Sequence, residues 1–267
     1  AIIHVVRCFD DDNVVHVAGS VDPVFDKEVI DTELQMRDVE SVEKKLQKLA
    51  KIAQSGDAAA RAQVKVLEEV LQTLKAGKNV RVLDHSPEQR EAYADLFLLT
   101  AKPVIYVANV AEDDITKGNE HVEALQAAIR DEDAKLIMVS AAIEAQIAEL
   151  EDPEERALFL AEYGLQESGL SRLIRASYEL LDLITYFTAG KQEVRAWTIK
   201  KGWKAPQAAG VIHTDFEKGF IKAEVIKLAD YQKYKTEQAI KEAGKMAIEG
   251  KEYVVQDGDI MHFRFNV

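Results

Sequence analysis

The fold class follows from the sequence PVIYVAN at residues 103–109, an apolar run that ends in a polar residue. Strands of a parallel sheet are buried on both faces, so they read as continuous runs of Val, Ile and other apolar residues. A second run of this kind, KLIMVS, stands at residues 135–140, and a helical pattern lies between the two. This alternation predicts a doubly wound α/β domain, in which ligands bind beyond the carboxyl ends of the strands.

A third strand is predicted at the start of the chain, where residues 1–9 read AIIHVVRCF. The chain has no initiator Met, and natural domains rarely open in the middle of a buried strand. We therefore expect that an N-terminal portion of the protein precedes Ala1.

Two heptad-like segments follow the first strand. Their apolar residues alternate steps of three and four, which is the spacing of a coiled-coil seam. The seam residues are Val39, Val42, Leu46, Leu49 and Ala53 in the first segment and Ala60, Val64, Leu67, Leu71 and Leu74 in the second. A break at residues 55–57 separates the segments, which predicts an antiparallel coiled-coil hairpin. The alternative is a pair of core helices in a compact domain.

Further along, Ser86 and Pro87 begin a helix that is expected to reach Leu99, with Gln89 completing a capping box. After residue 184, short strand-like segments surround one helical stretch at 205–216, and residues 253–265 resemble a hairpin with Asp257-Gly258 at its turn. These patterns predict four segments: 1–28, the first part of the α/β domain; 29–85, the hairpin; 86–184, the second part; and 185–267, a β-grasp domain.

The composition excludes several classes of protein. Asp and Glu outnumber Lys and Arg by 47 to 34, for a net charge of −13, so wholesale wrapping of nucleic acid is disfavoured and no DNA partner is expected. With 47% hydrophobic and 30% charged residues, the chain is not disordered. Cys8 is the single cysteine, which excludes an intramolecular disulfide and a thiolate metal cluster. No apolar run approaches the ~20 residues that span a bilayer, so we expect a cytoplasmic protein without a membrane partner.

Polar residues follow the two central strands where each ends. Asn109 and Glu112 stand after the first, and Ser140, Ala141 and Ala142 after the second. In G-protein-like folds, an Asn amide and a carboxylate from the first loop meet backbone N–H groups of the second loop around a nucleotide base. The alternative is that these are ordinary solvated loop residues.

The sequence resembles the YchF-type Obg-like ATPases, P-loop proteins related to GTPases, along essentially the whole chain. The quoted loops, the hairpin, residues 166–175 and above all residues 185–190, 194–198, 205–210 and 213–220 carry the resemblance. It implies a G domain interrupted by the coiled-coil hairpin and followed by a TGS domain, which is ubiquitin-like. It also implies ATP and Mg²⁺ as ligands, the ribosome (rRNA and ribosomal proteins) as partner, and a role in translation or the stress response.

The chain departs from this family in lacking the phosphate-binding motifs. It contains neither G-x-x-x-x-G-K-[ST] nor D-x-x-G, which the family carries before the strand with which this chain begins. A P-loop cradles phosphates with backbone N–H groups, a Lys and a Ser or Thr on Mg²⁺. The chain alone is therefore expected to be inactive, with no metal ligands of its own.

The residues that replace the guanine-reading motif Asn-Lys-x-Asp favour adenine. Guanine offers two donors to the Asp carboxylate, whereas adenine offers an acceptor at N1; here Val110 replaces the Lys, and Glu112 is one methylene longer. We expect Asn109, Val110 (through its backbone) and Glu112 to bind adenine, with ATP preferred over GTP. The resemblance makes His16 a candidate for orienting the attacking water, and the alternative from spacing alone is an ordinary loop histidine.

The hairpin carries a local concentration of positive charge in an acidic protein. The cations are Lys44, Lys45, Lys48, Arg61 and Lys65. They are candidates for contact with rRNA phosphates, and the alternative is a solvated helix face. A second functional hypothesis follows, a non-catalytic ribosome- or RNA-binding adaptor that uses the hairpin and the TGS domain. An unrelated α/β metabolic enzyme is disfavoured because no acid/base or nucleophile constellation stands at the strand ends.

Overall fold

The computed structural model describes residues 1–15, 19–132, 134–190 and 193–266. The chain divides into two compact units, Ala1–Ser177 and Tyr178–Val267. Helices and strands of the first unit are β1 (Ile2–Arg7), α1 (Pro23–Gln54), α2 (Ala58–Lys75), α3 (Pro87–Glu91), β2 (Val104–Asn109), α4 (Glu120–Ala128), β3 (Lys135–Val139), α5 (Ala141–Glu149), α6 (Pro153–Glu162) and α7 (Gly169–Leu180), which continues beyond Ser177.

A three-stranded parallel sheet in the order β1-β2-β3 forms the centre of the first unit, within the described residues. Ile2 pairs with Val104 and Ile105 pairs with Lys135 along the two ladders. The middle strand β2 is buried over its apolar length. The predicted parallel sheet is therefore confirmed, and the strand that decides the fold class lies at its centre.

Helices α1 and α2 form an antiparallel pair. Lys75 at the end of α2 bonds Glu43 (2.7 Å), and Arg61 near its start donates to the Ala53 carbonyl (3.2 Å) near the end of α1. Val42, Leu67 and Leu74 are buried between them, as the seam predicts. Helix α1 begins at Pro23, before the predicted residue 29, because the Asp22 carboxylate accepts hydrogen bonds from the amides of Val24 and Phe25. Since the compact units separate only after Ser177, the finer division into four segments stays a prediction.

The first half of α1 buries a polar and charged face. The apolar seam pattern does not predict this burial. We call Lys27, Asp31, Gln35 and Asp38 the polar base of α1; all four are buried. The Lys27 ammonium lies 2.7 Å from the Asp31 carboxylate and 2.6 Å from the carboxylate of Glu132. Burial alone lowers the pKa of Lys27, but the hydrogen bonds to these carboxylates outweigh it and raise that pKa.

Asp38 joins this helix to the segment before β2. Its carboxylate accepts hydrogen bonds from the Leu99 amide (2.9 Å), the Thr100 amide (2.7 Å) and the Thr100 hydroxyl (2.7 Å). The predicted helix from residue 86 to Leu99 is wrong in length: α3 ends at Glu91, and Phe97 adopts a left-handed conformation with φ of 50°. Helical backbone at Leu99 and Thr100 would use the amides that Asp38 binds.

The second unit contains β4 (Leu183–Ala189), β5 (Val194–Lys200), α8 (Ala205–Ile212), α9 (Thr214–Lys218), β6 (Phe220–Lys227), α10 (Leu228–Tyr234), α11 (Glu237–Glu242), β7 (Met246–Glu249) and β8 (Asp259–Phe265). Its strands form a mixed sheet in the order β5-β4-β8-β6-β7, with β4 and β8 parallel. Helix α8 packs on one face, where the Tyr186 hydroxyl donates to the Ala208 carbonyl (2.9 Å), and Ile240 of α11 packs with Ile226 and Ile260.

Two sequence expectations in this unit are wrong. The helix predicted over 205–216 breaks at His213, whose backbone is extended and whose ring accepts from the Asp215 amide. The hairpin predicted over 253–265 does not form, because β8 pairs with β6 and β4 instead. The Asp257 carboxylate accepts from the Thr185 amide (2.8 Å), so the turn residues bind β4 rather than closing a local hairpin.

Candidate functional site

The ends of the three parallel strands are bonded to one another. Asn109 ends β2, and its carbonyl accepts from the Cys8 amide (2.8 Å) beyond β1. Its side-chain oxygen accepts from the Ala141 amide (3.0 Å) at the start of α5. The structure therefore brings together Asn109 and the loop that begins with Ser140, two of the groups that the sequence predicts at one site.

Glu112 lies beside this pair in a single 3₁₀ turn, Glu112–Asp114. One carboxylate oxygen accepts from the Gln146 amide nitrogen (3.0 Å) of α5, and the other accepts from the Tyr163 hydroxyl (3.1 Å) just after α6. The hydrogen bond to Glu112 raises the pKa of Tyr163, so the hydroxyl stays protonated and remains a donor at neutral pH.

Gln146 and Tyr163 were not found from the sequence. Each stands far from Glu112 along the chain, Gln146 on α5 and Tyr163 just after α6, and neither belongs to a motif that points to the loop. The contact depends on how α5 and α6 pack, so no local pattern could have predicted it.

Val110 and Ser140 are buried next to the strand ends, with 2% and 1% of their surface exposed. The Val110 amide donates to the Val139 carbonyl (2.9 Å), so a backbone contact from Val110 to a base would have to use its carbonyl oxygen. The Ser140 hydroxyl has no partner among the described residues. Ala141 and Ala142 are exposed at the first turn of α5. The Ala141 N–H already donates to Asn109, whereas the Ala142 N–H has no partner within the helix and is available to a ligand.

The N-terminus of α7 is bonded to α5, the helix that begins at Ala141. The Glu144 carboxylate of α5 accepts from the amides of Gly169 (2.6 Å) and Leu170 (3.2 Å), which α7 leaves unpaired. A Cβ on Gly169 would lie 2.9 Å from the Val139 side chain, so only glycine allows this close approach of α7 to the end of β3. This accounts for a glycine within the run 166–175.

His16 lies outside the described residues, and nothing is derived from its position. The segment before it is held by Arg7, whose guanidinium donates to the carbonyls of Phe9 (3.0 Å), Val14 (2.9 Å) and Asp11 (3.2 Å). Cys8 is fully buried, and burial raises the pKa of its thiol to about 12. A protonated, buried thiol is a poor nucleophile.

The residues that the structure describes do not fit the Mg²⁺ ion that the resemblance implies. The part that the structure describes brings together no group of three His, Cys, Asp or Glu residues able to hold a metal ion. The sequence also contains no P-loop motif to bind the phosphates beside such an ion. Among the described residues, no helix is both long and apolar enough to cross a membrane.

The hairpin cations fall into two groups. Lys44, Lys48, Arg61 and Lys65 are exposed, although Lys44 lies 3.8 Å from Glu40 and the Arg61 guanidinium also donates to the Ala53 carbonyl. Lys45 is different, because only 17% of its side chain is exposed and its ammonium binds Asp95 (2.5 Å) and the Ala92 carbonyl (2.9 Å). We therefore assign Lys45 to the packing of α1 rather than to a free positive surface.

Comparison with known proteins gives consistent matches. A family model described as "YchF-GTPase_C: Protein of unknown function (DUF933)" matches residues 183–266. The "Ribosome-binding ATPase YchF" of Bacillus subtilis (strain 168) is 51% identical over 269 residues, which cover 100% of this chain and 73% of that protein. The protein of the same name from Escherichia coli O157:H7 is 52% identical over 267 residues, with the same coverage.

A solved structure shares the fold. The "Structure of the Schizosaccharomyces pombe YchF GTPase" superposes with a TM-score of 0.85 at 41% identity and covers 99% of this chain and 72% of that chain. Sequence identity of 41–52% over essentially the whole of this chain and most of each relative shows that these proteins are homologous. The chain belongs to the family of YchF-type ribosome-binding ATPases.

Proposed function

We propose that the site at the ends of β2 and β3 binds the adenine base of ATP, in a nucleotide-hydrolysing protein that acts with the ribosome. The observation that carries this proposal is the bond between the Asn109 side chain and the Ala141 amide, beside the Glu112 carboxylate. It places an amide group, a carboxylate and a helix N-terminus at one edge of a parallel sheet, where nucleotides bind in doubly wound folds. The names of the relatives support ATP and the ribosome as ligand and partner.

Adenine is favoured over guanine by the groups in this loop. A carboxylate repels the N1 acceptor of adenine when it is aimed at N1, but Glu112 is bound to Gln146 and Tyr163 instead. The Asn109 amide nitrogen and the Ala142 N–H in the first turn of α5 supply the remaining donors. Because rejection through unpaired polar groups can be large, a small change in this loop can reverse the preference.

Hydrolysis belongs to the complete protein, which would supply a P-loop for the phosphates and bind Mg²⁺ to neutralise their charge. In that protein we propose that His16 orients the attacking water, a role that the family resemblance implies for a histidine in this segment. Phosphoryl transfer is catalysed almost entirely by positioning and electrostatic stabilisation. The 267 residues alone, without a P-loop, therefore offer the base-binding half of the site.

The first experiment measures ATP turnover by the 267-residue chain. We expect phosphate release at background level, because the chain contains no P-loop motif to bind and orient the phosphates. For the same reason the affinity for ATP should be no better than about millimolar, which corresponds to roughly 4 kcal/mol of binding free energy. A phosphate-release assay with 1 mM ATP checks this. Turnover by a pure preparation, unchanged by His16→Ala, would place the active site elsewhere in the chain.

The second experiment exchanges the base preference in a version extended to include a P-loop. Glu112→Asp together with Val110→Lys restores the guanine-reading pattern, and the shorter carboxylate no longer reaches Gln146 and Tyr163. We expect the ratio of GTP to ATP affinity to rise about tenfold or more, measured by competition titration. The single change Asp113→Asn, on an exposed neighbour in the same turn, is the matched control and should leave the ratio unchanged. An unaltered ratio in the double variant would contradict base reading by this loop.

We also propose finer assignments for the two parts of the chain that flank this site. The pair α1–α2 is a coiled-coil hairpin whose exposed cations contact rRNA, alongside ribosomal proteins, and a protein with this partner works in the cytoplasm. The second unit is a TGS domain of the β-grasp type. Its support is the sheet order β5-β4-β8-β6-β7, in which the first and last strands of the unit are parallel neighbours and α8 follows the second strand.

A further inference from the structure

The Glu112 carboxylate is held by two side chains, one on α5 and one just after α6. Gln146 comes from α5, whose first turn is attached to Asn109, and Tyr163 follows the last turn of α6. The Tyr163 ring is itself fixed, because it packs against Phe159 at a centroid distance of 5.2 Å and against the core of the first unit. Each carboxylate oxygen therefore has its own protein donor, and the group has a defined orientation.

We propose that Gln146 and Tyr163 determine the base selectivity of this site by holding the Glu112 carboxylate in an orientation that guanine cannot use. The inference rests on the proposed function of the loop as a base-binding site. It adds two residues that act through Glu112 and that do not themselves touch the base, so both are positioning residues.

The argument depends on what each base demands of a carboxylate. Guanine presents two parallel donors, N1–H and the N2 amino group, and pairs best with both oxygens of one carboxylate at once. Turning Glu112 to accept both would break its bonds to Gln146 and Tyr163. Losing bonds to an ionised acceptor weakens binding more than losing bonds between neutral groups.

Adenine makes no such demand. Its N6 amino group needs one acceptor and its N1 needs a donor, and the Asn109 side chain and the backbone of the Ser140–Ala142 loop provide groups of both kinds. Glu112 can then keep both of its protein partners when adenine binds. The two side chains thus make guanine binding less favourable and leave adenine binding unaffected. The selectivity comes from weaker binding of the competing base.

The experiment compares purine monophosphates on the 267-residue chain itself, because base recognition can be followed without a P-loop. Isotope-labelled parent and the double variant Tyr163→Phe, Gln146→Leu are titrated with AMP and with GMP at millimolar concentrations, and the amide signals of Val110 and Ala141 are followed by NMR. We expect the parent to favour AMP. In the double variant the affinity for GMP should rise about three- to tenfold, while that for AMP changes less than about twofold.

Two single variants guard against an effect of folding. Tyr163→Phe keeps the ring that packs on Phe159 and loses only the hydroxyl, and Gln146→Ala changes an exposed residue. Each should give part of the rise for GMP. Phe159→Leu removes the ring that packs against Tyr163 but keeps the hydroxyl, so it should raise the GMP to AMP affinity ratio by no more than Tyr163→Phe does.

The outcomes separate this inference from the proposal beneath it. An unchanged GMP to AMP ratio in the double variant, or an equal loss of both ligands, overturns the selectivity role and leaves the base site standing. If neither nucleotide moves the Val110 and Ala141 signals of the parent chain, the base site itself falls, and the inference falls with it.

Discussion

Changing Lys44, Lys48, Arg61 and Lys65 to glutamine is expected to weaken binding to ribosomes about a hundredfold at 0.15 M salt. These four cations are exposed on α1 and α2, and the net charge of the protein is −13, so contact with rRNA would depend on this local patch. Each phosphate contact that is lost should lower the log–log dependence of affinity on salt by about 0.7–0.9. Sedimentation with ribosomes at two salt concentrations measures both effects.

Matched variants distinguish a specific contact from a general loss of positive charge. The pair Lys48→Gln, Lys65→Gln on the hairpin is compared with Lys117→Gln, Arg130→Gln, which are also exposed on the first unit but lie outside α1 and α2. Only the first pair should reduce binding and flatten the salt dependence. Helicity measured by circular dichroism should stay the same, because the seam residues are untouched. Equal pelleting of all variants would leave the lysines as a solubilising surface.

Replacing Asp38 by alanine is expected to lower the free energy of unfolding of the first unit by about 3–5 kcal/mol. The Asp38 carboxylate is 2% exposed and accepts three hydrogen bonds, two of them from the backbone amides of Leu99 and Thr100. Without it, those donors stay buried with no acceptor and the segment before β2 loses its attachment to α1. Urea unfolding followed by circular dichroism measures the change.

A charge control lies on the same helix. Glu40→Ala removes a carboxylate whose side chain is 60% exposed, so its effect should stay below about 0.5 kcal/mol. Asp38→Asn keeps the shape but presents an amide to one of the donors, and it should fall between the two. A loss below 1 kcal/mol for Asp38→Ala would mean that water replaces the carboxylate at this position.

The parts of the fold that could be predicted are those with a sequence period of their own. The strand at residues 103–109 is a local pattern, and it is confirmed. The seam around Val42 and Leu67 is also a local pattern, and both residues are buried. The polar base of α1 could not be predicted, since Lys27 and Asp38 are residue types that usually face water. Only the approach of Glu132 and of the Leu99–Thr100 backbone, far away in sequence, makes their burial favourable.

The candidate site divides in the same way. The proximity of Asn109 and Ala141 could be predicted because the carboxyl ends of neighbouring parallel strands share one edge of a sheet. In the structure, the Ala141 amide nitrogen lies 3.0 Å from Asn109 Oδ1. The partners of Glu112 depend on the packing of α5 and α6, which no motif encodes. Lys45 shows the opposite error, since a lysine on a helix was read as a surface cation although Asp95 and the Ala92 carbonyl bind it.

The polar base has a mechanical consequence for α1, which contains 32 residues and is therefore about 48 Å long. An apolar seam tolerates sliding, because one methyl contact can replace another, whereas a hydrogen bond is lost when its partner moves away. A shift by one helical turn, about 5.4 Å, would separate the Lys27 ammonium from the Glu132 carboxylate and the Asp38 carboxylate from the Leu99 and Thr100 amides. The first half of α1 is therefore fixed against sliding along its axis. A force applied near the C-terminal end of α1 should bend the helix, or rotate it about its fixed N-terminal half, rather than displace it along its axis.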